Sequence, residues 1–298
     1  GSRGFETDLV DCNAHPGAAG RIRELLTARR PATLGLSCTT AGFLDGVRIA
    51  ALAKATLPGI RTVVGGPHAS ALAARALEGF DAIDFAVVGE GEETLAELAA
   101  GGWEEPAEVK GLVYRDRGGA AVFSGHRETA LALDTLPFPA YEKLEGFPRA
   151  YTLPIFNYPR TPNATCISSR GCPYACSYCD RSVFGRGFRY NSADYMLEHV
   201  RFLHRRFGVR HLNFYDDNFT FHRKRIEDFA DRLATGSLGV TFNCAARAEH
   251  LDADLLRLLK AAGCWMISLG IESGDPGLLA QHRQHADLDV LREKIFLI

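Results

Sequence analysis

The sequence has no apolar run of the roughly 18 residues that a membrane-spanning helix needs. Its first residues also lack the basic-then-apolar layout of a signal peptide. These absences predict a soluble, cytoplasmic chain with no membrane insertion. An excess of one charge sign is missing too: 34 Lys and Arg stand against 36 Asp and Glu, a formal net charge of -2. Without a basic face there is no electrostatic footprint for nucleic acid, and a small-molecule partner is favoured. What is present is bulk: 298 residues, 46% hydrophobic and 23% charged, suffice for one large core or two moderate ones. Two domains are the starting expectation.

Eight cysteines could suggest a disulfide framework, but their spacing argues against it. Cys172, Cys176 and Cys179 crowd together, whereas Cys12, Cys38, Cys166, Cys244 and Cys264 stand singly in apolar or strand-like surroundings. A reducing compartment fits this pattern, with the five single cysteines as small buried hydrophobes.

Up to about residue 100, short apolar runs alternate with helical stretches, the signature of parallel βα units. Strands are expected at Thr7 to Val10, Thr33 to Ser37, Arg61 to Val64 and Phe85 to Val88, and a β-ribbon from Gly111 to Phe123. The last three βα strands end in small or glycine-rich turns, and ligands of open α/β sheets bind at such carboxyl ends. A proline-punctuated linker over 136–162 separates this domain, 1–135, from a second one, 163–298. There the βα rhythm returns, with strands at Ala164 to Ser168, His211 to Tyr215, Val240 to Cys244 and Trp265 to Leu269. Four units fall short of a closed barrel, so a partial (β/α) TIM-like barrel is expected.

The most informative stretch is Gly171-Cys172-Pro173-Tyr174-Ala175-Cys176-Ser177-Tyr178-Cys179-Asp180. Three thiolates at CxxxCxxC spacing can each bind a different iron of a cubane, leaving the fourth iron open to a chelating ligand. Zinc is the rival, but a structural zinc site wants four ligands and this loop offers three.

The loop resembles that of the radical S-adenosylmethionine (SAM) superfamily, including Tyr178 just before the third cysteine. That resemblance implies a [4Fe-4S] cluster on Cys172, Cys176 and Cys179, with SAM on the open iron. It further implies SAM contacts from Asp216 and Asp217, from Arg247 and from Glu272 and Ser273, each just past a barrel strand. Acidic residues replace the family's usual glycine-rich form at Asp216-Asp217-Asn218. From the residues alone, helix-capping turns at 216–218 and 272–273 and a surface ion pair at Arg247 stay open. The basic run His222-Arg223-Lys224-Arg225 reads as a solvated helix face.

The first domain, by itself a Rossmann or flavodoxin-like sheet, is similar to the cobalamin-binding domain of the class B radical SAM methyltransferases and the anaerobic magnesium-protoporphyrin ester cyclases. The resemblance lies in Gly35-Leu36-Ser37-Cys38-Thr39, Gly65-Gly66-Pro67-His68 and Gly89-Glu90-Gly91-Glu92. It implies that Ser37, Cys38, Thr39, Gly65, Gly66, Pro67, His68, Gly89, Glu90 and Glu92 meet the corrinoid. His68 reads equally as a packed turn histidine, and Glu90 and Glu92 as helix N-terminal charge. The DxHxxG cobalt-ligating element is absent, since Asp11 and His15 have the wrong spacing. A first βα unit and the end of the barrel both look clipped.

Together these features imply a cobalamin-dependent radical SAM methyltransferase acting on an unactivated carbon of a small molecule, supplied by an external electron donor such as flavodoxin or ferredoxin. A radical oxidative cyclase is the alternative with the same cofactors, and a non-catalytic iron-sulfur or corrinoid module the alternative from another class. A methylthiotransferase would need three further cysteines in the first domain, where only Cys12 and Cys38 occur.

Overall fold

In the computed structural model, residues 3–14, 17–128, 132–151, 158–283 and 285–298 are described. The chain divides into two units, Gly1–Ala130 with Ser182–Phe184, and Leu131–Arg181 with Gly185–Ile298.

The first unit is a sheet of order β1-β2-β3-β4-β5. Strands β1 (Thr33–Ser37), β2 (Arg61–Gly65) and β3 (Phe85–Val87) are parallel, and β4 (Leu112–Arg115) and β5 (Ala121–Phe123) add an antiparallel ribbon. Helices α1 (Ala18–Arg29), α2 (Phe43–Thr56), α3 (Pro67–Leu72) and α4 (Glu92–Glu97) interleave with the strands. Val64, Ala86 and Val113 pack on one side of the sheet, Val63, Val87 and Leu112 on the other. Burial of both faces explains why these strands read as unbroken apolar runs. The ribbon turns where expected, because the Asp116 carboxylate accepts from the backbone N–H groups of Gly118 (2.8 Å) and Ala120 (3.0 Å). Thr7 to Val10 is not a strand: side chains hold it, Asp8 pairing with Arg29 and Val10 packing beside Ile22 and Leu26 of α1.

All four strands expected in the second unit are present. They are β6 (Asn163–Cys166), β9 (His211–Phe214), β10 (Thr241–Ala246) and β11 (Cys264–Leu269), in a parallel sheet of order β11-β10-β9-β6. A ribbon of β7 (Ser169–Arg170) and β8 (Arg189–Tyr190) closes the neck of the cysteine loop. Helices α5 (Ala193–Phe207), α6 (Arg223–Thr235), α7 (Ala253–Ala261), α8 (Pro276–His282) and α9 (Leu288–Leu297) complete the unit. Ser192 and Asp252 cap α5 and α7 by accepting the Tyr195 and Leu255 N–H groups, and Gly208 ends α5 at a φ of 68°.

Strand alternation sorts the second sheet's side chains. Ala164, Cys166, Leu212, Phe214, Phe242 and Cys244 join the core that α5, α6 and α7 cover. The intervening residues are polar, with Asn213 bonded to Asn243 (3.1 Å) and His211 to Thr241 (2.7 Å). Residues 136–151, read as linker, and 132–135, read with the first domain, belong to this unit, and Tyr141 lies in its core. Tyr141 is buried with its hydroxyl on His199 Nε2 (3.1 Å), Phe138 stacks on His199 at 4.7 Å, and Asp134 accepts from the Ser192 N–H (2.9 Å). Prolines kept the segment irregular, yet its aromatics made it part of the domain. The aromatic stretch from Tyr151 to Tyr158 lies largely outside the described residues.

Phe242 is fully buried among Phe214, Phe219 and Phe229. Phe242→Ala is expected to cost about 3–5 kcal/mol in denaturant unfolding. Burial also pushes His199 and His211 down to about 4. Unfolding restores an ordinary imidazole near 6.5, so between these limits the unfolded chain binds protons that the folded one refuses. The second unit should therefore lose stability as pH falls from about 6.5 towards 4. Thermal unfolding across that window checks it, and His199→Phe should flatten part of the slope.

Candidate metal and cofactor sites

The cysteine loop leaves β6 through Ser168 and Ser169 and turns at Gly171, whose φ of 82° suits glycine. Cys176 is buried, Cys172 half-buried and Cys179 exposed. The Cys179 N–H donates to the Cys176 carbonyl at 3.2 Å, and Ser177 bonds His282 through its N–H (2.9 Å) and hydroxyl (2.8 Å), tying the loop to α8. The three thiols lie near enough to perturb one another. Burial first, then Asp217 and the neighbouring cysteines, pushes the thiols of Cys172 and Cys179 up. Arg247 counters with positive charge: it stacks on Tyr174 at 4.0 Å and approaches Cys176 Sγ at 3.7 Å. The Tyr178 hydroxyl also bonds Cys176, and burial with that bond raises the phenol to about 12.

Among the described residues, no three His, Cys, Asp or Glu side chains converge as ligands of a single metal ion do. A cubane instead spreads its thiolates over separate irons. Three neighbouring thiols with N–H and O–H donors already on one of them fit a cluster of that kind.

The other expected SAM contacts separate by strand parity. Asp217 and Arg247 follow the polar face of β9 and β10, and Asp217 accepts from the Gly171 N–H. Glu272 adopts a φ of 67°, costly for a non-glycine residue, and a Cβ on Gly270 would lie 2.7 Å from its Oε1. Ser273 is a turn residue whose hydroxyl accepts from the Asp275 N–H. Asp216 departs from expectation. It continues the helix-facing parity of Leu212 and Phe214, its side chain is 0% exposed, and it bonds Ser168 and Ser169. That carboxylate is turned away from any ligand on the polar face.

Arg247 itself is not the surface ion pair that the sequence left open. Its side chain is 12% exposed and bonds Glu249 at 3.2 Å, which also takes Arg283 at 3.1 Å. Sequence reasoning missed two residues. Arg225 was taken for a solvated charge but is 4% exposed, and Tyr174 carries the Arg247 stack and bonds His250 at 2.9 Å. Arg225 falls four residues before Phe229 and eight before Leu233, both buried, and that spacing is the signal that could have found it.

In the first unit the carboxyl ends of β1, β2 and β3 meet. Ser37 and Thr39 are exposed, whereas Cys38 is buried, its Sγ occupying the space that a side chain on Gly46 would need. Cys38 is thus packing rather than an exposed contact; of the five single cysteines only Cys12 is exposed. Pro67 opens α3, and His68 packs at a tilt against Phe43, centroids 4.2 Å apart, with Nδ1 3.1 Å from Thr40 Oγ1. The packed-turn reading of His68 fits these contacts, and the ring is half-buried. Ser70 links the strand ends by donating to the Gly66 carbonyl (3.0 Å) and accepting from the Gly89 N–H (3.0 Å). Glu92 sits in the first turn of α4, where the helix dipole favours it, and Glu90 precedes the cap Gly91. His15 lies outside the described residues.

Gly66 has a φ of 92°, and a Cβ there would stand 2.8 Å from the Cys38 carbonyl oxygen and 3.0 Å from its nitrogen. The glycine is needed for this internal crossing. Gly66→Ala should destabilise the first unit by about 1–3 kcal/mol or more. Gly35→Ala, with nothing within 4 Å of the added carbon, should leave the unfolding midpoint unchanged.

Comparison with known proteins assigns residues 1–99 to the B12 binding domain and residues 166–293 to the Radical SAM superfamily. A protein of Pyrococcus horikoshii described as an uncharacterized methyltransferase is 28% identical over 92% of this chain and 59% of its own length. The anaerobic magnesium-protoporphyrin IX monomethyl ester cyclase of Synechocystis is 27% identical over 99% of this chain and 59% of its own. The chain thus spans 59% of the length of these relatives. The fold matches that of the radical S-adenosylmethionine methyltransferase TsrM of Kitasatospora setae, with a TM-score of 0.79 and 18% identity over 99% of this chain and 60% of that one. Along this one chain a B12 binding domain is thus followed by a domain of the Radical SAM superfamily.

Proposed function

We propose that this chain is the cofactor-binding part of a cobalamin-dependent radical SAM methyltransferase that acts on an unactivated carbon of a small molecule. The observation that carries the reading is the succession of the two domain matches along one chain. When bound, SAM at a reduced [4Fe-4S] cluster supplies hydrogen-atom abstraction, and methylcobalamin supplies the methyl group.

In this reading Cys172, Cys176 and Cys179 hold the cluster. Arg247 and Tyr178 set hydrogen bonds on the Cys176 sulfur, a second layer that tunes the potential of such centres. Asp217 lies beside the loop to receive the cationic amino group of SAM. Glu272 offers its carboxylate to the two ribose hydroxyls, and the missing side chain of Gly270 leaves room for it. Stacked on Tyr174, Arg247 shields one side of Cys176 from water. In the first domain Ser37, Thr39, Gly65, Gly66, Pro67, His68, Gly89, Glu90 and Glu92 border the strand ends where a corrinoid would lie. Electrons come from an external donor such as a flavodoxin or ferredoxin, in a reducing cytoplasm. No helix among the described residues is long and apolar enough to cross a membrane.

A second reading, an oxidative cyclase, draws support from three relatives named as anaerobic magnesium-protoporphyrin IX monomethyl ester cyclases. Product analysis separates the two. Anaerobic reconstitution should load about four irons per chain, and Cys176→Ala should abolish loading. Turnover with SAM, reductant and candidate metabolites should then release both 5'-deoxyadenosine and S-adenosylhomocysteine, with a product heavier by one CH2. Deoxyadenosine without S-adenosylhomocysteine would select the cyclase, and failure to load iron would end both readings.

A further inference from the structure

The neck of the cysteine loop is held by two buried charges that sequence reasoning assigned elsewhere. Asp216 is 3% exposed and Arg225 4%. Asp216 Oδ1 accepts from the N–H groups of Ser168 (2.6 Å) and Ser169 (3.1 Å), and Oδ2 from the Ser168 hydroxyl (2.5 Å). Arg225 Nη2 lies 3.7 Å from Asp216 Oδ2 and donates to the Ser168 hydroxyl and the Phe219 carbonyl, both at 3.3 Å. Its Nη1 reaches across the neck, donating to the carbonyls of Ser168 (2.8 Å) and Asn191 (3.4 Å). Ser168 enters the loop and Asn191 leaves it, and the Asn191 N–H closes the ring on the Ser168 carbonyl at 2.9 Å.

Burying an ion pair costs several kcal/mol per ion before attraction repays it, and apolar residues of similar volume often serve stability as well or better. The pair therefore calls for an explanation beyond packing. What it does geometrically is fix both ends of the only segment carrying the CxxxCxxC cysteines, four residues before Cys172.

We propose that Asp216 and Arg225 are positioning residues for the cluster: they set the angle at which the loop leaves β6, and through it the placement of the three thiolates. The proposal rests on the radical SAM reading. Arg225 performs this task as a planar fork bridging two carbonyls, which a lysine cannot copy. Asp216 fixes the backbone of Ser168 and Ser169 rather than contacting SAM.

The test uses the whole chain with Arg225→Lys and the paired variant Asp216→Asn/Arg225→Met. The pair removes both charges together, so the bridge is lost without leaving either charge buried alone. In the metal-free protein, amide hydrogen exchange should rise at residues 168–172 and 189–191 but stay unchanged in β9 and β10. After anaerobic reconstitution, the electron paramagnetic resonance spectrum of the reduced cluster should differ from that of the parent, and SAM affinity should fall about 10- to 100-fold. Circular dichroism should show a folded chain. A folded paired variant with parental exchange, spectrum and SAM affinity would overturn the proposal, leaving the pair a structural feature alone. If the paired variant unfolds, Arg225→Lys decides by the same three measurements: parental values overturn the proposal, and shifted exchange and spectrum with unchanged circular dichroism uphold it. Failure of the parent chain to load iron would count against the radical SAM reading instead.

Discussion

The second domain is organised around one carboxylate. Asp216 stands at the end of β9, takes three hydrogen bonds from Ser168 and Ser169 at the end of β6, and faces Arg225 from α6. Two strands and a helix thus meet at a point closed to solvent. Burial pushes the Asp216 carboxyl up and the Arg225 guanidinium down; their mutual attraction opposes both shifts, and the serine donors oppose the first. The pair is compensated because the Asp216 oxygens take three hydrogen bonds and both Arg225 Nη atoms find acceptors, although Ser169 Oγ and Arg225 Nε are left without a hydrogen-bond partner.

The rest of the loop depends on that anchor. From its neck the chain runs past Gly171 to the cysteines, where a second polar system takes over: Tyr174, Arg247, Glu249, Arg283 and His250. This system acts on Cys176 from the ends of β10 and α8. The two networks differ in kind. The first fixes backbone by bonding carbonyl and amide groups, and the second presents donors to sulfur. Position and electronic environment of the thiolates are therefore governed by different residues.

Much of this was legible in the sequence because periodicity reports burial. All three parallel strands of the first unit and all four strands of the second appear within two residues of their expected places, since apolar runs such as Thr62-Val63-Val64 leave little choice. Thr7 to Val10 fails for lack of that constraint: Thr7, Asp8 and Leu9 are exposed, and only Val10 packs against α1. The cysteines were legible by spacing alone. Asp216 and Asp217 are adjacent and chemically identical, so composition could not separate them, but parity does. Counting by twos from Leu212 and Phe214 leads to Asp216, and from Asn213 and Tyr215 to Asp217. Arg225 hid within a run of basic residues whose other members are not buried. The linker hid for the opposite reason: its prolines advertised irregularity, while Phe138 and Tyr141 carried the packing.

The anchor joins positions far apart along the chain: Asp216 stands 48 positions after Ser168 and Arg225 57. A nascent chain that has just made its three cysteines therefore has no means of holding their loop in shape. Until helix α6 has been synthesised and has docked, the neck has the β7–β8 ribbon and the Asn191–Ser168 bond but not the buried pair. At ribosomal rates of roughly 5–20 residues per second, that interval lasts a few seconds, during which the thiols are present but unarranged. The buried pair at the neck can therefore form only after the second strand and its helix have been made, so the separation of a serine from an arginine sets the earliest moment at which the loop is fully anchored.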